Sequence, residues 1–153
     1  MKRLSIVALI FIIIDQIVKI IISNTMKEHQ SIVIIKNFFN ITYTQNDGAA
    51  WSIMSGNRII LILISVFVLG LVYFLFIKDK KITKTESVIY GLLIGGIVGN
   101  LIDRIISGKV IDYLDFNILG YNYPIFNIAD ICIVVSIIIL IILTLKGEKH
   151  ANK

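Results

Sequence analysis

Cysteine and histidine are scarce in this sequence, which has one cysteine and two histidines among its 153 residues. Cys132 lies inside an apolar run, and a single cysteine can form neither an internal disulfide nor a thiolate metal site. His29 and His150 fall in a polar loop and a polar tail, so no histidine pair has metal-ligand spacing and no histidine can assist a serine within the membrane. We therefore expect no metal and no cofactor.

Charged residues are also few: 16% of the chain is charged, 57% is hydrophobic, and the mean hydropathy is +0.89. This apolar share is well above that of soluble domains. The net charge of +5 is not arranged as a basic stripe with interleaved aromatics, so we expect no nucleic-acid partner. The chain has no linker, low-complexity tract, repeat or phosphate-binding P-loop, and its length predicts one domain, 1–153.

Four apolar runs, each about one bilayer span long, dominate the chain. They cover residues 4–22, 59–77, 88–107 and 127–145. The first run follows a Lys-Arg pair and so resembles a secretory signal peptide. We reject that interpretation because the run is long enough to span, contains Asp15 and Lys19, and is followed by no small-residue cleavage site. The sequence therefore predicts four transmembrane helices.

The segment between the first two spans, residues 23–58, is polar and mixed in composition. Within it, residues 31–44 are rich in Ile, Val, Phe, Tyr and Thr with partial alternation, which predicts one or two strands. Residues 46–48, Asn-Asp-Gly, follow this stretch and are typical of a hairpin turn. Trp51 is expected to be an anchor at the membrane interface.

An even number of spans places both termini on the same side of the membrane. That side carries most of the basic residues, namely Lys2, Arg3, Lys78, Lys80, Lys81, Lys84, Lys146, Lys149 and Lys153. The opposite side carries Lys27, Lys36, Arg58 and Lys109. The positive-inside rule therefore predicts cytoplasmic termini. In that orientation Asp103, Asp112 and Asp130 lie near the outer leaflet, together with the turn at 46–48.

Several polar residues lie at or near membrane depth, where an ionisable group costs roughly 2.5–3.5 kcal/mol. Glycines recur every four residues on the third span, at Gly91, Gly95 and Gly99. This spacing is typical of close helix packing in lipid, and Asp103 continues the row, so it is expected to face protein. Asn100 and Arg104 form the adjacent row, and Asp103–Arg104 is either a structural polar cluster or part of a site. Asp15 and Lys19 are i, i+4 neighbours and predict a buried or snorkelling ion pair.

Asp112 and Asp130 each have a structural interpretation and a functional one. Asn127 with Asp130 is typical of a helix N-cap followed by an acid in the first turn, and Asp112, close to Asp115, is typical of a solvated loop acid. The predicted topology nevertheless brings Asp112 and Asp130 to one face of the bilayer. Two carboxylates that share a partly desolvated site do not both ionise easily, so one holds a proton. Such a pair supplies a base to activate water and an acid to protonate a leaving amine.

Five blocks of sequence together resemble the bacterial lipoprotein signal peptidases, also called signal peptidase II. In chain order they are Asp15-Gln16-x-x-Lys19, Asn46-x-Gly48-Ala49-Ala50-Trp51, Gly99-Asn100-x-x-Asp103-Arg104, Val110-x-Asp112-Tyr113 and Phe126-Asn127-x-Ala129-Asp130. The resemblance covers nearly the whole chain. It implies an all-α integral membrane protein whose four transmembrane helices carry a small extracytoplasmic β-platform between helices 1 and 2. The activity it implies is that of an aspartic endopeptidase that removes signal peptides from prolipoproteins just before a lipid-modified cysteine.

The resemblance also implies roles for individual residues. Asp112 and Asp130 match the catalytic pair. Positions that line the site or hold substrate are matched by Asn46, Gly48, Asn100, Arg104 and Asn127, and supporting acids are matched by Asp15 and Asp103. The implied partners are diacylglyceryl-modified prolipoproteins and membrane lipid, and the implied protein is a monomer. It would be a multi-pass protein of the bacterial cytoplasmic membrane, with its active site near the outer leaflet.

Other functions stay open from the residues alone. A small four-helix proton-coupled transporter or channel needs a path of acids, and the candidates are Asp15, Asp103, Asp112 and Asp130. The inner halves of the second, third and fourth spans hold no acid, which argues against such a path. A membrane assembly factor would need the polar clusters only for structure. A Ser–Lys pair with Lys19 is a further catalytic alternative, although Ser65 and Ser136 lie near the middle of their spans.

Overall fold

The computed structural model describes residues 1–49 and 53–151, and four long helices account for most of them. They are α1 (Lys2–Thr25), α2 (Arg58–Val72), α3 (Lys84–Ile106) and α4 (Ile128–Ala151), and a π-helical turn, Tyr73–Ile77, extends α2. By length and composition, each of the four is apolar enough to cross a membrane. The fold class predicted from the sequence, four apolar helices with a small sheet, is confirmed.

The strands form one antiparallel sheet in the order β1-β2-β3-β4. They are β1 (Ser31–Ile35), β2 (Phe39–Asn46), β3 (Val110–Ile118) and β4 (Tyr121–Asn122). Two strands therefore occupy the segment that was predicted to hold one or two. The sequence analysis does not predict β3, although its run of β-branched and aromatic residues is a strand signal. Because β3 pairs with β2, the segment before α2 and the segment after α3 belong to one sheet.

The predicted hairpin turn at residues 46–48 is wrong. The hairpin turn lies at 36–38, between β1 and β2. Asn46 is the last residue of β2 and pairs with Val110 at the start of β3, so the following turn leads out of the sheet. An Asn-Asp-Gly pattern predicts a turn but not which strand pairs next to it. Here the strand that pairs with the end of β2 is β3, which is distant in the sequence. Trp51, the predicted interfacial anchor, lies outside the described residues.

The helix α3 is the most deeply buried of the four, and α1 and α4 pack against it. Its glycines allow this close approach. A Cβ atom added at Gly91 would lie 2.8 Å from the Leu4 carbonyl oxygen of α1, and one at Gly96 would lie 2.5 Å from the Ala129 carbonyl oxygen of α4. Real Cβ contacts are not this short, so the helices could not pack this closely around larger residues. Polar side chains of α1, α3 and α4 can consequently reach one another directly.

The sheet is held at one end of the helices by an apolar cluster. Ile22 and Met26, at the end of α1, pack with Tyr43 of β2 and Tyr113 of β3, and all four are buried. This end of α1 is also where α3 finishes and α4 begins. The cluster thereby fixes β2 and β3 against the helix ends that carry the polar residues.

Replacing Gly96 by alanine should destabilise the protein by about 1–3 kcal/mol, because the new methyl group overpacks the α3–α4 contact. Gly70→Ala in α2 is the matched control, since a Cβ there meets nothing within 4 Å. Alanine favours a helix over glycine, so the control should be neutral or slightly stabilised. Thermal unfolding of both variants in detergent measures the difference, and equal melting temperatures would contradict the packing argument.

Candidate active site

A cleft of about 1050 Å³ lies between the sheet and the neighbouring ends of α3 and α4. Five of the residues singled out from the sequence line it, namely Asn46, Asn100, Arg104, Asp112 and Asp130. Most of the other lining residues are aromatic or aliphatic. Residues that are distant in the sequence therefore share one cavity, in which a small polar region borders an extended apolar wall.

Asn127 connects the two aspartates of the predicted pair. Its side-chain Nδ2 donates to Asp112 Oδ1 at 2.7 Å, and its backbone N–H donates to Asp130 Oδ2 at 3.1 Å. In return, Asn127 Oδ1 accepts a hydrogen bond from the backbone N–H of Asp130 at 3.0 Å. This reciprocal arrangement is a capping box, so the geometry matches the helix-cap interpretation of Asp130. The same cap holds the Asp130 carboxyl in the cleft that Asp112 also lines.

Asp112 is not the solvated loop acid that its sequence position indicates. It lies in β3 and is only 2% exposed. Besides the bond from Asn127, its Oδ2 accepts a hydrogen bond from Asn46 Nδ2 at 3.2 Å. Burial, and then the negative charge of Asp130, raise the pKa of Asp112 to about 7. A buried carboxyl with this pKa can hold a proton near neutral pH.

Asp115, the other acid of β3, has a different environment. Side chains alternate along a strand, so two residues three positions apart project from opposite faces of the sheet. Asp115 Oδ2 accepts hydrogen bonds from Thr42 at 2.6 Å and from Asn40 at 3.3 Å, and Asp115 is not among the cleft-lining residues. The structure therefore separates Asp112 from its competitor in the sequence.

Lys19 is the centre of a buried polar cluster. Its ammonium lies 2.7 Å from Asp15 Oδ2 and 2.9 Å from Asp103 Oδ2, and it donates to Asn100 Oδ1 at 2.9 Å. Each of its three N–H donors thus has an acceptor, and the residue is 1% exposed. The predicted i, i+4 pair of Asp15 and Lys19 is present, but it is buried rather than snorkelling and it includes a second acid from α3.

Each partner of Lys19 reaches a further element of the fold. Asn100, whose Oδ1 faces the ammonium, uses Nδ2 to donate to Asp130 Oδ1 at 2.7 Å. Asp15 Oδ1 accepts from the backbone N–H of Ala129 at 3.0 Å, in the first turn of α4. Asp103 Oδ2 accepts from the backbone N–H of Ile111 at 3.2 Å, in β3. The cluster therefore joins α1, α3, α4 and β3 beside the candidate aspartates.

Two members of this cluster were missed or underestimated from the sequence. The sequence analysis gives Lys19 an ion pair with Asp15 or a Ser–Lys pair, and no partner on α3. Gln16 was not singled out, yet its Nε2 donates to Asp103 Oδ1 at 2.9 Å and to the Gly99 carbonyl at 3.1 Å. A signal was available, because a lysine inside an apolar run needs partners beyond one acid. The glycine row that brings α3 close to α1 indicates where such partners lie.

Arg104 and Asp103 are adjacent in sequence but serve different regions. Asp103 belongs to the buried cluster, whereas Arg104 lines the cleft and donates from Nη2 to the Gly48 carbonyl at 2.9 Å. Gly48 itself donates its N–H to Asn46 Oδ1 at 2.9 Å, which fixes the turn after β2. Arg104 Nε is buried and has no hydrogen-bond partner within the described part of the chain. Arg104 therefore combines a buried, unsatisfied donor with a position on the cleft wall.

Serine and metal chemistry find little support in the described residues. Lys19 contacts no serine there: Ser65 donates to the Leu61 carbonyl at 2.9 Å, and Ser136 Oγ is buried without a hydrogen-bond partner. The same residues hold no group of three or more His, Cys, Asp or Glu side chains that could bind a metal ion. The alternative Ser–Lys pair is therefore not present in this geometry.

Asp103→Asn should lower the free energy of unfolding by about 1.5–3 kcal/mol, because Asp103 is a buried acceptor for a charged group. Arg104→Lys should leave it nearly unchanged, since the Arg104 side chain makes one hydrogen bond at the cleft, to Gly48. Denaturation of the two variants and the parent in the same detergent checks this order. If Arg104→Lys proved the less stable variant, the separation of the two residues would be wrong.

Comparison with known proteins identifies the family of this chain. The chain matches the family model for signal peptidase (SPase) II over residues 7–146. Lipoprotein signal peptidases from Staphylococcus aureus strains JH9 and Newman are each 43% identical to it over 148 residues, covering 96% of this chain and 90% of each relative.

Two solved structures, each of a bacterial membrane enzyme, resemble the fold. One has a TM-score of 0.91 at 39% identity, covering 98% of this chain and 92% of that chain. The other has a TM-score of 0.85 at 40% identity, covering 95% and 94% respectively. Sequence and fold thus agree over nearly the whole length, and the chain belongs to the signal peptidase II family of peptidases.

Proposed function

We propose that this protein cleaves the signal peptides of bacterial prolipoproteins just before a lipid-modified cysteine, and that Asp112 and Asp130 form its catalytic dyad. The family and the relatives named lipoprotein signal peptidase support the substrate class. A peptidase family gives no support to the alternative of a proton-coupled transporter or channel. The dyad and the cleavage position rest on the chemistry of the cleft and on the resemblance of the motifs.

One observation carries the dyad assignment. A single buried residue, Asn127, donates to Asp112 Oδ1 at 2.7 Å through its side chain and to Asp130 Oδ2 at 3.1 Å through its backbone. Both carboxyls therefore lie within one residue's reach while they also line the same cleft. A structural cap of α4 needs Asp130 but has no need for a second, buried acid on β3.

The surroundings of the two acids differ in a way that assigns their roles. Asp130 accepts hydrogen bonds on both oxygens, lies in the first turn of α4, and connects through Asn100 to the ammonium of Lys19. Burial opposes the ionisation of Asp130 as it does that of Asp112, but its hydrogen-bond donors, the helix N-terminus and a nearby cation favour the carboxylate. Asp112 is buried and faces the charge of Asp130, and its pKa is raised to about 7. We therefore assign Asp130 as the base and Asp112 as the acid.

In the proposed reaction Asp130 accepts a proton from a water molecule, and the oxygen of that water forms a bond to the scissile carbonyl carbon. Asp112 donates its proton to the departing amine nitrogen as the C–N bond breaks. The products are a carboxylic acid and an amine. After their release Asp130 gives its proton to Asp112, directly or through water, and this transfer restores the starting protonation of the pair. Neither step requires a metal or cofactor.

The apolar wall of the cleft suits the lipid part of such a substrate. Ile131 and Val134 of α4 line the cleft and are also 41% and 54% exposed, so the wall continues onto the outer surface of that helix. An acyl chain could enter along this surface without crossing a polar region. Aromatic residues complete the wall, namely Phe38, Phe116, Tyr123 and Phe126. We infer that this wall holds the diacylglyceryl group.

The remaining site residues would support this chemistry. Asn46 and Asn100 orient the two carboxyls, Gly48 fixes the turn, and Arg104, on the cleft wall, offers its guanidinium to a substrate carbonyl or phosphate. Asp15 and Asp103 hold Lys19 in place, and Asn127 joins the pair. The basic-residue asymmetry supports cytoplasmic termini and a site near the outer leaflet. The proposed protein acts as a monomer with membrane lipid around it and needs no nucleic acid.

Asp112→Asn and Asp130→Asn should each reduce cleavage of a lipidated precursor peptide by more than about a thousandfold, because an amide can neither accept nor donate the proton. The double variant should be hardly worse than either single one, since the residues act as a unit. Asp115→Asn is the control and should remain active. Cleavage is measured with purified protein in detergent, and near-normal turnover by either dyad variant would end the assignment.

The alkaline limb of the pH profile should report the acid, Asp112, whose pKa is about 7. Activity should fall as pH rises through this value, because Asp112 then loses the proton it must donate. Asn46→Ala removes a donor that stabilises the Asp112 carboxylate, so the pKa should rise and the limb should move to higher pH. Asn40→Ala is the matched control, since Asn40 bonds Asp115 instead, at 3.3 Å. A limb that moves equally in both variants, or in neither, contradicts this role.

A further inference from the structure

Arg58, at the start of α2, bonds to the end of α3. Its Nε donates to the Arg104 carbonyl oxygen at 2.7 Å, and its Nη2 donates to the Ile105 carbonyl oxygen at 2.6 Å. The last carbonyls of a helix have no partner within the helix, and their end carries a partial negative charge. A guanidinium that bonds two of them at once both satisfies and neutralises this end. Arg58 thus satisfies two carbonyl groups at the C-terminal end of a helix to which it does not belong.

The turn after α3 is built against the same side chain. Gly108 has φ +82°, in the left-handed region that favours glycine, and a Cβ there would lie 3.2 Å from Arg58 Cδ. The chain reverses at Gly108 and enters β3 at Val110, two residues before Asp112. The position of Asp112 relative to α3 is therefore set through a short connection that Arg58 covers.

Arg104 is held from two directions. Its side chain donates to the Gly48 carbonyl at 2.9 Å, while its own carbonyl accepts from Arg58. Gly48 follows β2 and Arg58 begins α2, so both ends of the connection between those elements are attached to one residue of α3. The arrangement fixes the Arg104 guanidinium at the cleft and the Gly48 turn beside it.

We infer that Arg58 is a positioning residue for the peptidase reaction. It sets the placement of Arg104 and Asp112 through its two hydrogen bonds to the end of α3. The inference rests on the proposed function. Arg58 does not line the cleft, so it acts through the backbone and not on substrate. Its bonds are exposed and contribute little to overall stability, which separates its effect on turnover from an effect on folding.

Arg58→Ala should lower kcat for a lipidated precursor peptide by roughly tenfold to a hundredfold, the cost of a displacement on the order of 1 Å at reacting groups. KM should rise by a smaller factor, because a displaced Arg104 also loses part of its proposed contact with substrate. Arg58→Lys keeps the charge but not the two-point fork, so its kcat should be intermediate. Lys109→Ala is the matched control: Lys109 lies next to Gly108, and its side chain has no hydrogen bond or ion pair among the described residues.

Hydrogen exchange of the amides in 104–112 provides a readout that does not depend on cleavage. Exchange there should become faster in Arg58→Ala and stay unchanged in Lys109→Ala. Unchanged exchange in Arg58→Ala would show that Arg58 does not hold the end of α3 in place, whether or not the protein cleaves lipoproteins. If the parent cleaves and Arg58→Ala has a normal kcat, or loses activity only in proportion to unfolded protein, the positioning role is overturned. If the parent does not cleave but exchange is faster in Arg58→Ala, the proposed function is overturned and the structural role of Arg58 at the end of α3 is retained.

Discussion

The site depends on one buried charge, the ammonium of Lys19. Removing an ion from water costs several kcal/mol unless its partners are already in place, and the loss of one partner leaves another charge uncompensated. Here the partners come from two helices, Asp15 from α1 and both Asp103 and Asn100 from α3. Each then bonds a further element, so the first turn of α4 and the start of β3 are attached to the same ammonium. The lysine that keeps this cluster together thereby fixes the positions from which both candidate catalytic acids project.

The buried cluster around Lys19 can form only because the helices pack closely. Lys19 can reach α3 only because glycines bring the helices together; a Cβ at Gly99 would lie 2.7 Å from Asp15 Oδ2. The same helix presents Gly96 to α4, where the contact is limited by a backbone carbonyl. In lipid no hydrophobic force draws helices together, so small residues and polar contacts must supply the association. The glycines and the polar cluster are therefore parts of one packing solution rather than two separate features.

Much of the fold could be predicted because its signals are local. Apolar runs of bilayer length define the helices, and the four-residue glycine spacing identifies the buried face of α3. The strand β3 is harder to predict, because Asp112 and Asp115 give this segment the polarity of a loop. That the two acids lie on opposite faces of a sheet is evident only once the strand pairing is known. The partners of Lys19 and the contact of Arg58 with α3 could not be predicted. They depend on helix rotation and on the meeting of chain segments far apart in sequence, which no local pattern encodes.

Asp130 and Asp112 differ in how their functional state relates to stability. At Asp130 the cap of α4 and an ionised carboxylate require the same hydrogen bonds, so the structural and catalytic interpretations do not compete. Asp112 gains no such benefit. Its pKa is raised from 3.8 to about 7 in the folded protein, so the unfolded chain ionises first and stability decreases as pH rises through this interval, staying lower above it. A buried acid that lowers stability near neutral pH is better explained by proton donation than by structure, and this asymmetry supports the proposed division of roles between Asp112 and Asp130.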